Sequence, residues 1–260
     1  MKRYSNFLII SLFISAIILS SCGERENYTP GNLQFYETYF PSEIASQWQQ
    51  ATIASRSKEV KSEDIAPADS SDTTKPESLT SFSNLGGAQK GLADYVKIAG
   101  NYGLGFVSPE DKSAVDAILN RRDIQLIFPE DMKFMWSADL EKVDYKSNEK
   151  AFILYAIRVH ENSNAKVGGK DIKSASTGFD QTSGRITVDL SMTEEGADKW
   201  AMMTADNLNR IVAITMDDVV YSTPTVMSQI TGGNTQISGG FTYEFAQKLC
   251  DRINSFSSNK

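Results

Sequence analysis

The chain has 260 residues, of which 40% are hydrophobic, so it holds enough apolar side chains for a buried core in one domain or two small ones. Its 26 basic and 33 acidic residues give a net charge of -7, and an acidic surface repels the phosphates of nucleic acid. Nucleic acid is therefore excluded as a partner.

The first residues carry the pattern of a bacterial export signal. Lys2 and Arg3 precede an apolar stretch, residues 7–20, that is short for a membrane span. The stretch ends in LSSC, which resembles the lipobox of bacterial lipoproteins and implies cleavage before Cys22 and acylation of its sulfur. We predict a lipoprotein signal peptide over residues 1–21 and a membrane anchor at Cys22. An ordinary signal peptide with a chance cysteine is the alternative.

A lipid on Cys22 has two consequences. Several acyl chains on one residue give stable anchoring, so the protein is expected in the cell envelope. The periplasmic face of the inner or the outer membrane, or the cell surface, is compatible with such an anchor. With Cys22 acylated, Cys250 has no disulfide partner, and its place on the apolar side of a helix indicates a small buried hydrophobe.

Residues 22–54 are interpreted as a lipid tether followed by an aromatic-rich helical segment. Phe35, Tyr36 and Trp48 are among its aromatic residues, and residues 41–43 can begin a helix. A helix that binds a membrane surface carries basic residues, and none stands between Leu33 and Ile53. Docking on the domain is therefore favoured over contact with a membrane or a partner.

Residues 55–84 are rich in Ser, Thr, Asp, Glu, Lys and Pro, and hold too little apolar surface to offset chain entropy. We predict a flexible linker with an end-to-end distance on the order of 30 Å. The anchor and the domain are then expected to move independently.

Residues 85–260 are predicted to form the domain. In its first half, GLGFV indicates a strand, residues 108–111 open a helix that reaches Asn120 or Arg121, and strands follow at Met132–Ser137 and at 151–160.

The second half has the same order of elements. Arg185–Met192 alternates apolar and polar residues as a strand does, and Thr193 can cap the helix that follows. The run 210–216 reads as a strand that turns at Asp217 and Asp218 into VVYS, and two glycines, at 232 and 233, indicate a hairpin between two short strands. A last helix begins at Thr242. Two strand–helix–strand–strand units predict an α+β fold with ferredoxin-like αβ sandwich halves, a mixed or antiparallel sheet and helices on one face.

The second half also contains a family pattern. The run EEGADKWAMMTADNLNRIVAITMDDVVYSTPTV, followed by ITGGNTQISGGFTYEFAQKL, resembles the end of the first periplasmic domain of SecD, especially in the SecD-SecF fusions of Bacteroidetes. Weaker similarity reaches back to about Tyr102. The resemblance implies a head-like periplasmic domain, with translocated polypeptide or the SecD-SecF translocase as partner. In that family a block of membrane helices follows, whereas this sequence closes with RINSFSSNK, so we expect no ion-driven transport by this chain alone.

The search for catalytic or metal-binding residues returns structural explanations. His160 ends a strand without a second histidine or a cysteine nearby in sequence. Paired acids at 194–195 and 217–218 suit a helix N-terminus and a turn, and the glycines at 232–233 lack the Lys-Ser/Thr of a phosphate loop. We therefore expect no catalytic residue, no metal and no cofactor.

The sequence favours a non-enzymatic, lipid-anchored envelope protein that binds translocated polypeptide or the export machinery, by strand addition at a sheet edge or in an apolar groove. The alternative is an envelope or surface lipoprotein that reuses the fold as a scaffold or interaction module without a role in export.

Overall fold

The computed structural model describes residues 32–57, 90–99, 103–143, 148–160 and 165–258. The predicted signal peptide, the predicted lipidation site at Cys22, the tether up to residue 31, residues 58–84 of the predicted linker and residues 85–89 lie outside these ranges.

The described residues form eleven strands and six α-helices. In the first half they are β1 Leu33–Thr38, α1 Ala45–Ala54, α2 Leu92–Tyr95, β2 Gly105–Val107, α3 Lys112–Leu119, α4 Arg122–Gln125, β3 Met132–Ser137, β4 Glu141–Lys142 and β5 Lys150–Arg158. In the second half they are β6 Val167–Gly168, β7 Ile172–Asp180, β8 Arg185–Met192, α5 Glu194–Asp206, β9 Val212–Met216, β10 Val219–Ser222, β11 Asn234–Ser238 and α6 Tyr243–Ser258.

Five strands of the larger sheet pair in a closed ring. β1 pairs with β9, β9 with β10, β10 with β3, β3 with β5, and the end of β5 pairs back with β1. Among the described pairings of this ring only β10 with β3 is parallel. A sheet that closes in this way has an inner and an outer side, and successive residues of each strand point to opposite sides.

The inner side of the ring holds a small apolar core. Tyr36 of β1 lies opposite Ala213 of β9, and Met135 of β3 lies opposite Tyr155 of β5. These residues form one buried cluster together with Ile153, Ile157 and Val220.

The helices lie on the outer side of the ring in two groups. One core packs α1, α2, α3 and α4 against β3 and β5. The other packs α5 and α6 against β1 and β9 and against a second, antiparallel sheet of order β11-β8-β7. This arrangement confirms the predicted α+β class with a mixed sheet. Strands of the two predicted units share the ring, because β3 of the first pairs with β10 of the second.

The segment interpreted as aromatic-rich and helical begins with β1, Leu33–Thr38, a strand that the sequence did not predict and that precedes the helix start expected at residues 41–43. Phe35 is buried on the outer side of the ring and Tyr36 on the inner side, and Glu37 and Thr38 are buried as well, so the strand lacks the strict apolar–polar alternation that marks a strand in sequence. Helix α1 does follow, from Ala45.

Residues 55–57, assigned by sequence to the linker, belong to the folded part. Ser55 is fully buried, and its hydroxyl accepts the backbone N–H of Leu92 at 2.9 Å. The chain thus remains packed on the domain as far as it is described.

The other elements differ from the predictions in particular places. Strand β3 and strand β8 have the predicted bounds, and Thr193 caps α5 by accepting the N–H of Gly196 at 3.0 Å. Only one strand, β11, adjoins the glycines at 232–233, because the N–H of Ile230 is bonded to the Thr204 hydroxyl at 3.0 Å and not to a strand. Strand β7 was not predicted from sequence.

Candidate functional site

Residues of the family pattern at the start of α5 make close structural contacts. Gly196 lies so near Asp171 that a Cβ built on it would stand 2.3 Å from the Asp171 carbonyl oxygen. The buried carboxylate of Asp171 accepts the N–H of Gly168 at 2.9 Å and the Nζ of Lys199 at 2.9 Å. Glycine at 196 therefore allows α5 to dock on the turn before β7.

The end of α5 carries the threonine and asparagine of the same pattern. The Thr204 hydroxyl bonds its own helix at Trp200 and accepts the N–H of Ile230. The Asn207 amide donates to the Met203 carbonyl at 2.8 Å and to Oε1 of Glu37 at 3.1 Å. Thr204 thus holds the segment at Ile230 against the helix, and Asn207 holds β1 against it.

The turns of the pattern have the backbone that their residues favour. Asp217 and Asp218 both have positive φ, at 52° and 65°, as a two-residue hairpin between β9 and β10 requires. Gly233 has φ 65° at the entry to β11. The acid pair therefore has the structural role that the sequence indicated.

Glu37 is the centre of a polar cluster that the sequence did not reveal. Its side chain is 9% exposed and lies 2.7 Å from Lys166 Nζ, 3.6 Å from His160 Nε2 and 4.0 Å from Arg158. Burial raises the pKa of Glu37, but hydrogen bonds from Lys166 and Asn207 and the nearby positive charges outweigh it and hold the pKa below its ordinary value. No sequence signal marks Glu37, because its partners come from distant parts of the chain.

The residues considered for chemistry are not brought together. His160 contacts Glu37, and within the described ranges no group of three or more His, Cys, Asp or Glu side chains could hold a metal ion. Cys250 is 1% exposed, and burial raises its pKa to about 11, with smaller contributions from Asp251 and Asp189. The prediction of a small buried hydrophobe is confirmed for Cys250.

An open cleft lies at one end of the ring, where β3 and β10 end beside the hairpin of β7 and β8. It has a volume of about 280 Å³ and adjoins a wider hollow of about 460 Å³. The two share Glu141, Phe241 and the glycines at 239–240. We call them together the end cleft.

Two aromatic side chains, Tyr221 and Phe241, line the end cleft, and a third, Phe245, packs against both. The ring of Phe245 lies 5.8 Å from that of Tyr221 and 5.5 Å from that of Phe241, and all three are partly exposed. Ile186 of β8 extends this apolar lining. The rest of the lining is largely polar, with Asp139, Glu141 and Arg185 as charged members.

Burial raises the pKa of Tyr155 at the floor of the end cleft to about 12, while a hydrogen bond with Thr223 lowers it and Glu141 raises it further, so the phenol stays protonated at neutral pH. The lining also holds the carboxylates of Asp139 and Glu141 and the hydroxyl groups of Ser222 and Thr223. An aromatic lining beside backbone and hydroxyl groups suits a chain with mixed apolar and polar groups.

Residues 145–255 match the family model for the SecDF P1 head subdomain. The chain contains a SecD-like periplasmic domain. The matched residues run from just before β5 into α6. They include the residues that line the end cleft, except those from the end of β3 to Glu141. Gly196, Thr204 and Asn207 therefore lie within the SecD-like part, whereas Glu37, which Asn207 contacts, lies outside it.

Curated relatives of the SecD-like domain are protein translocase subunits. SecD of Rhodothermus marinus is 28% identical over 151 residues, which cover 58% of this chain and 23% of that protein. SecD of Acidaminococcus fermentans is 40% identical over 94 residues, 36% of this chain and 22% of that protein. The chain thus spans about a quarter of the length of these relatives.

Solved structures of SecDF are also similar. One, described as a membrane component that enhances protein export, is 35% identical over 35% of this chain and 41% of its own, with a TM-score of 0.33. Another, the translocon-associated membrane protein of Thermus thermophilus, is 18% identical over 88% of this chain and 29% of its own, with a TM-score of 0.31. Within the described residues, every helix is too short or too polar to cross a bilayer.

Proposed function

We propose that this chain is a non-enzymatic, lipid-anchored envelope protein whose SecD-like periplasmic domain faces the periplasm and binds extended polypeptide during export. The observation that carries the proposal is the end cleft, open to solvent and lined by the aromatic rings of Tyr221 and Phe241, in a domain whose relatives are translocase subunits. Aromatic rings present large contact areas at a low cost in side-chain entropy.

Binding in the end cleft is testable with the full chain in detergent and a fluorescein-labelled, permanently unfolded protein such as reduced and carboxymethylated lactalbumin. We expect the replacement Phe241→Ala to weaken binding roughly tenfold, as the loss of an aromatic anchor does. Leu126→Ala is the matched control, because Leu126 is 74% exposed at the C-terminus of α4 and lines neither part of the cleft. Absence of binding by the unaltered chain at tens of micromolar would contradict the proposal.

Association with the export machinery is tested separately. The names of the relatives suggest the SecD-SecF translocase as a partner. The chain spans only part of these relatives, so the association is tested directly. Co-purification of the tagged chain with the translocase from solubilised membranes supports an export role. Polypeptide binding without such co-purification favours the alternative of an envelope lipoprotein that reuses the fold.

The lipid anchor is tested at Cys22. We expect globomycin to block processing of the chain and Cys22→Ala to abolish incorporation of labelled palmitate. Processing that is indifferent to globomycin would replace the anchor with an ordinary signal peptide.

A further inference from the structure

The second sheet has a free edge at β7, and α6 covers part of it. The side-chain amide of Asn254 accepts the N–H of Ala175 at 2.8 Å and donates to the Ala175 carbonyl at 2.9 Å. These are the two bonds that a residue of a neighbouring strand would make. Further along α6, the Ser257 hydroxyl donates to the Ile172 carbonyl at 3.1 Å.

The bonds to Asn254 fix which backbone groups of β7 point outward. Ala175 lies opposite Leu190 of β8, and both of its backbone groups face away from β8. Because antiparallel pairs alternate between bonded and non-bonded positions, the N–H and C=O groups of Thr177 and Phe179 face outward too. Among the described residues, no hydrogen bond reaches them on that side.

The uncovered part of the edge has a recognisable chemistry. Phe179 is 59% exposed and lies opposite Ile186, which lines the end cleft, so the apolar lining of the cleft continues to this edge. Helix α6 runs antiparallel to β7, with Asn254 at Ala175 and Ser257 at Ile172, which places Asp251 beside the open stretch. Asp180 ends the strand opposite Arg185, and its carboxylate accepts the Thr182 N–H at 2.9 Å and the Ser183 hydroxyl at 2.6 Å. Asp180 and Asp251 are the carboxylates on the two sides of the outward amides.

We infer that the open edge of β7 at Thr177 and Phe179 binds an extended polypeptide segment by strand addition, with a preference for basic residues. The segment continues the pairing that Asn254 begins, places an apolar side chain against Phe179, and brings its positive charge near Asp180 and Asp251. This inference rests on the proposed function and names a second contact for the same polypeptide.

A second copy of the chain fits this edge less well. Pairing of β7 with β7 about a two-fold axis at residue 178 would bring the turn at residues 181–184 of each copy against the part of the other copy's edge that α6 covers. A single extended segment meets no such obstacle.

The variant Thr177→Pro tests the edge in the full chain. Proline removes the outward N–H, which bonds no residue of β8, and edge strands tolerate proline at such positions. We expect a short peptide alternating valine with lysine and threonine to bind roughly tenfold more weakly to this variant. The matched control Thr177→Val keeps the N–H and is expected to bind normally.

Methylated peptides test the same contact on the unaltered protein. Methylation of every second peptide amide, in one register or the other, removes either the amides that face the edge or those that face solvent. Strand addition predicts loss of binding in one register only. Equal effects in both registers, or none in either, would overturn the inference.

The remaining outcomes separate the inference from the proposed function. No binding by the unaltered chain removes both. Binding that Phe241→Ala weakens and Thr177→Pro leaves unchanged preserves the function and removes the edge. Glutamate in place of the peptide lysines is expected to weaken binding roughly fivefold at low salt, and equal binding would remove the basic preference. A dimer in sedimentation that Thr177→Pro dissolves would assign the edge to a second copy and overturn the inference.

Discussion

Gly196 lies where the first turn of α5 meets the backbone of Asp171. A methyl group there would stand 2.3 Å from the Asp171 carbonyl oxygen, and both groups belong to packed backbone that cannot easily move. We expect Gly196→Ala to lower the free energy of unfolding by about 1–2 kcal/mol, because the overpacking exceeds the helix propensity that alanine gains. Urea denaturation measures the difference.

Gly232→Ala is the control for this substitution. Nothing lies within 4 Å of a Cβ built on Gly232, and only Gly233 of the pair has positive φ. Equal stability of the two variants would show that the contact with Asp171 does not require glycine at position 196.

The charge of Glu37 gives the protein a pH dependence at a single residue. Its pKa is held below the ordinary value of 4.5 in the folded state, so the ionised form stabilises the fold above that pH and the contribution is lost as the pH falls through the folded pKa. We expect Glu37→Gln to lower the free energy of unfolding by about 1–2 kcal/mol at pH 7 and by much less in acid. The expected loss is kept small because the partner side chains are 32–40% exposed and solvent screens their charges. Denaturation at both pH values measures this.

Glu195→Gln provides the comparison for Glu37. Glu195 pairs with Lys199 on the surface of α5 and its side chain is 79% exposed, so solvent screens the pair. A cost that is the same in acid and at neutral pH for Glu37→Gln would contradict the ionic origin of its effect.

At the scale of elements, α1 is held through its C-terminal carbonyl groups. Arg121, just before α4, donates from Nη1 to the Ser57 carbonyl at 2.9 Å and from Nη2 to the Ala54 carbonyl at 3.2 Å. Asp123 orients the guanidinium, with Nη2 at 2.6 Å from its Oδ2. No basic residue stands in the last turn of α1 itself, so Arg121 supplies the positive charge that this helix end favours.

We expect Arg121→Ala to lower the free energy of unfolding by about 2 kcal/mol, because the carbonyl groups lose charged donors. In this variant, backbone amides of α1 should exchange faster than in the unaltered protein, while those of α6 should not change, because the Arg121 hydrogen bonds hold α1 alone. Arg122→Ala, at the neighbouring exposed residue, is the control. Unchanged exchange in α1 would contradict a role for Arg121 in holding it.

Elements whose apolar residues alternate, follow helical spacing or run on without a break were the ones that the sequence predicted. Strand β8 alternates buried and partly exposed residues, and α6 buries Ala246, Leu249, Cys250 and Ile253 at helical spacing. Strand β1 is covered on both sides, and β7 reads Ser-Ala-Ser-Thr-Gly between its ends, which carries little apolar signal. Neither strand shows the strict alternation or the unbroken apolar run by which the other strands were predicted, so the sequence pattern missed both.

The end cleft was beyond sequence analysis for a different reason. Tyr221 and Phe241 were visible as aromatic residues, but β10 and the β11–α6 turn bring them into one cleft only after the ring and the second sheet are formed. The same holds for Glu37, whose partner Asn207 is 170 residues away in sequence. Contacts of such sequence separation follow from topology and not from local pattern.

For the whole molecule, closure of the ring depends on β1. This strand pairs with β9 on one side and with β5 and β6 on the other, and it contributes Tyr36 to the inner core and Leu33 and Phe35 to the outer one. Without it β9 would be an exposed edge beside two opened cores. A domain that begins at residue 85, as the sequence suggested, would therefore lack β1, which is part of the ring.

Two fragments test this dependence. We expect residues 32–258 to unfold in one cooperative transition with ordered near-ultraviolet circular dichroism, and residues 85–260 to lack that transition and to bind a hydrophobic dye, because five residues of β1 pair with β9 and the burial of its side chains is lost with them. A synthetic peptide of residues 32–57 added to the shorter fragment should restore the transition by completing the ring, whereas a peptide of the same composition in scrambled order should not. Cooperative unfolding of residues 85–260 alone, with an unchanged midpoint, would show that the remaining strands close without β1.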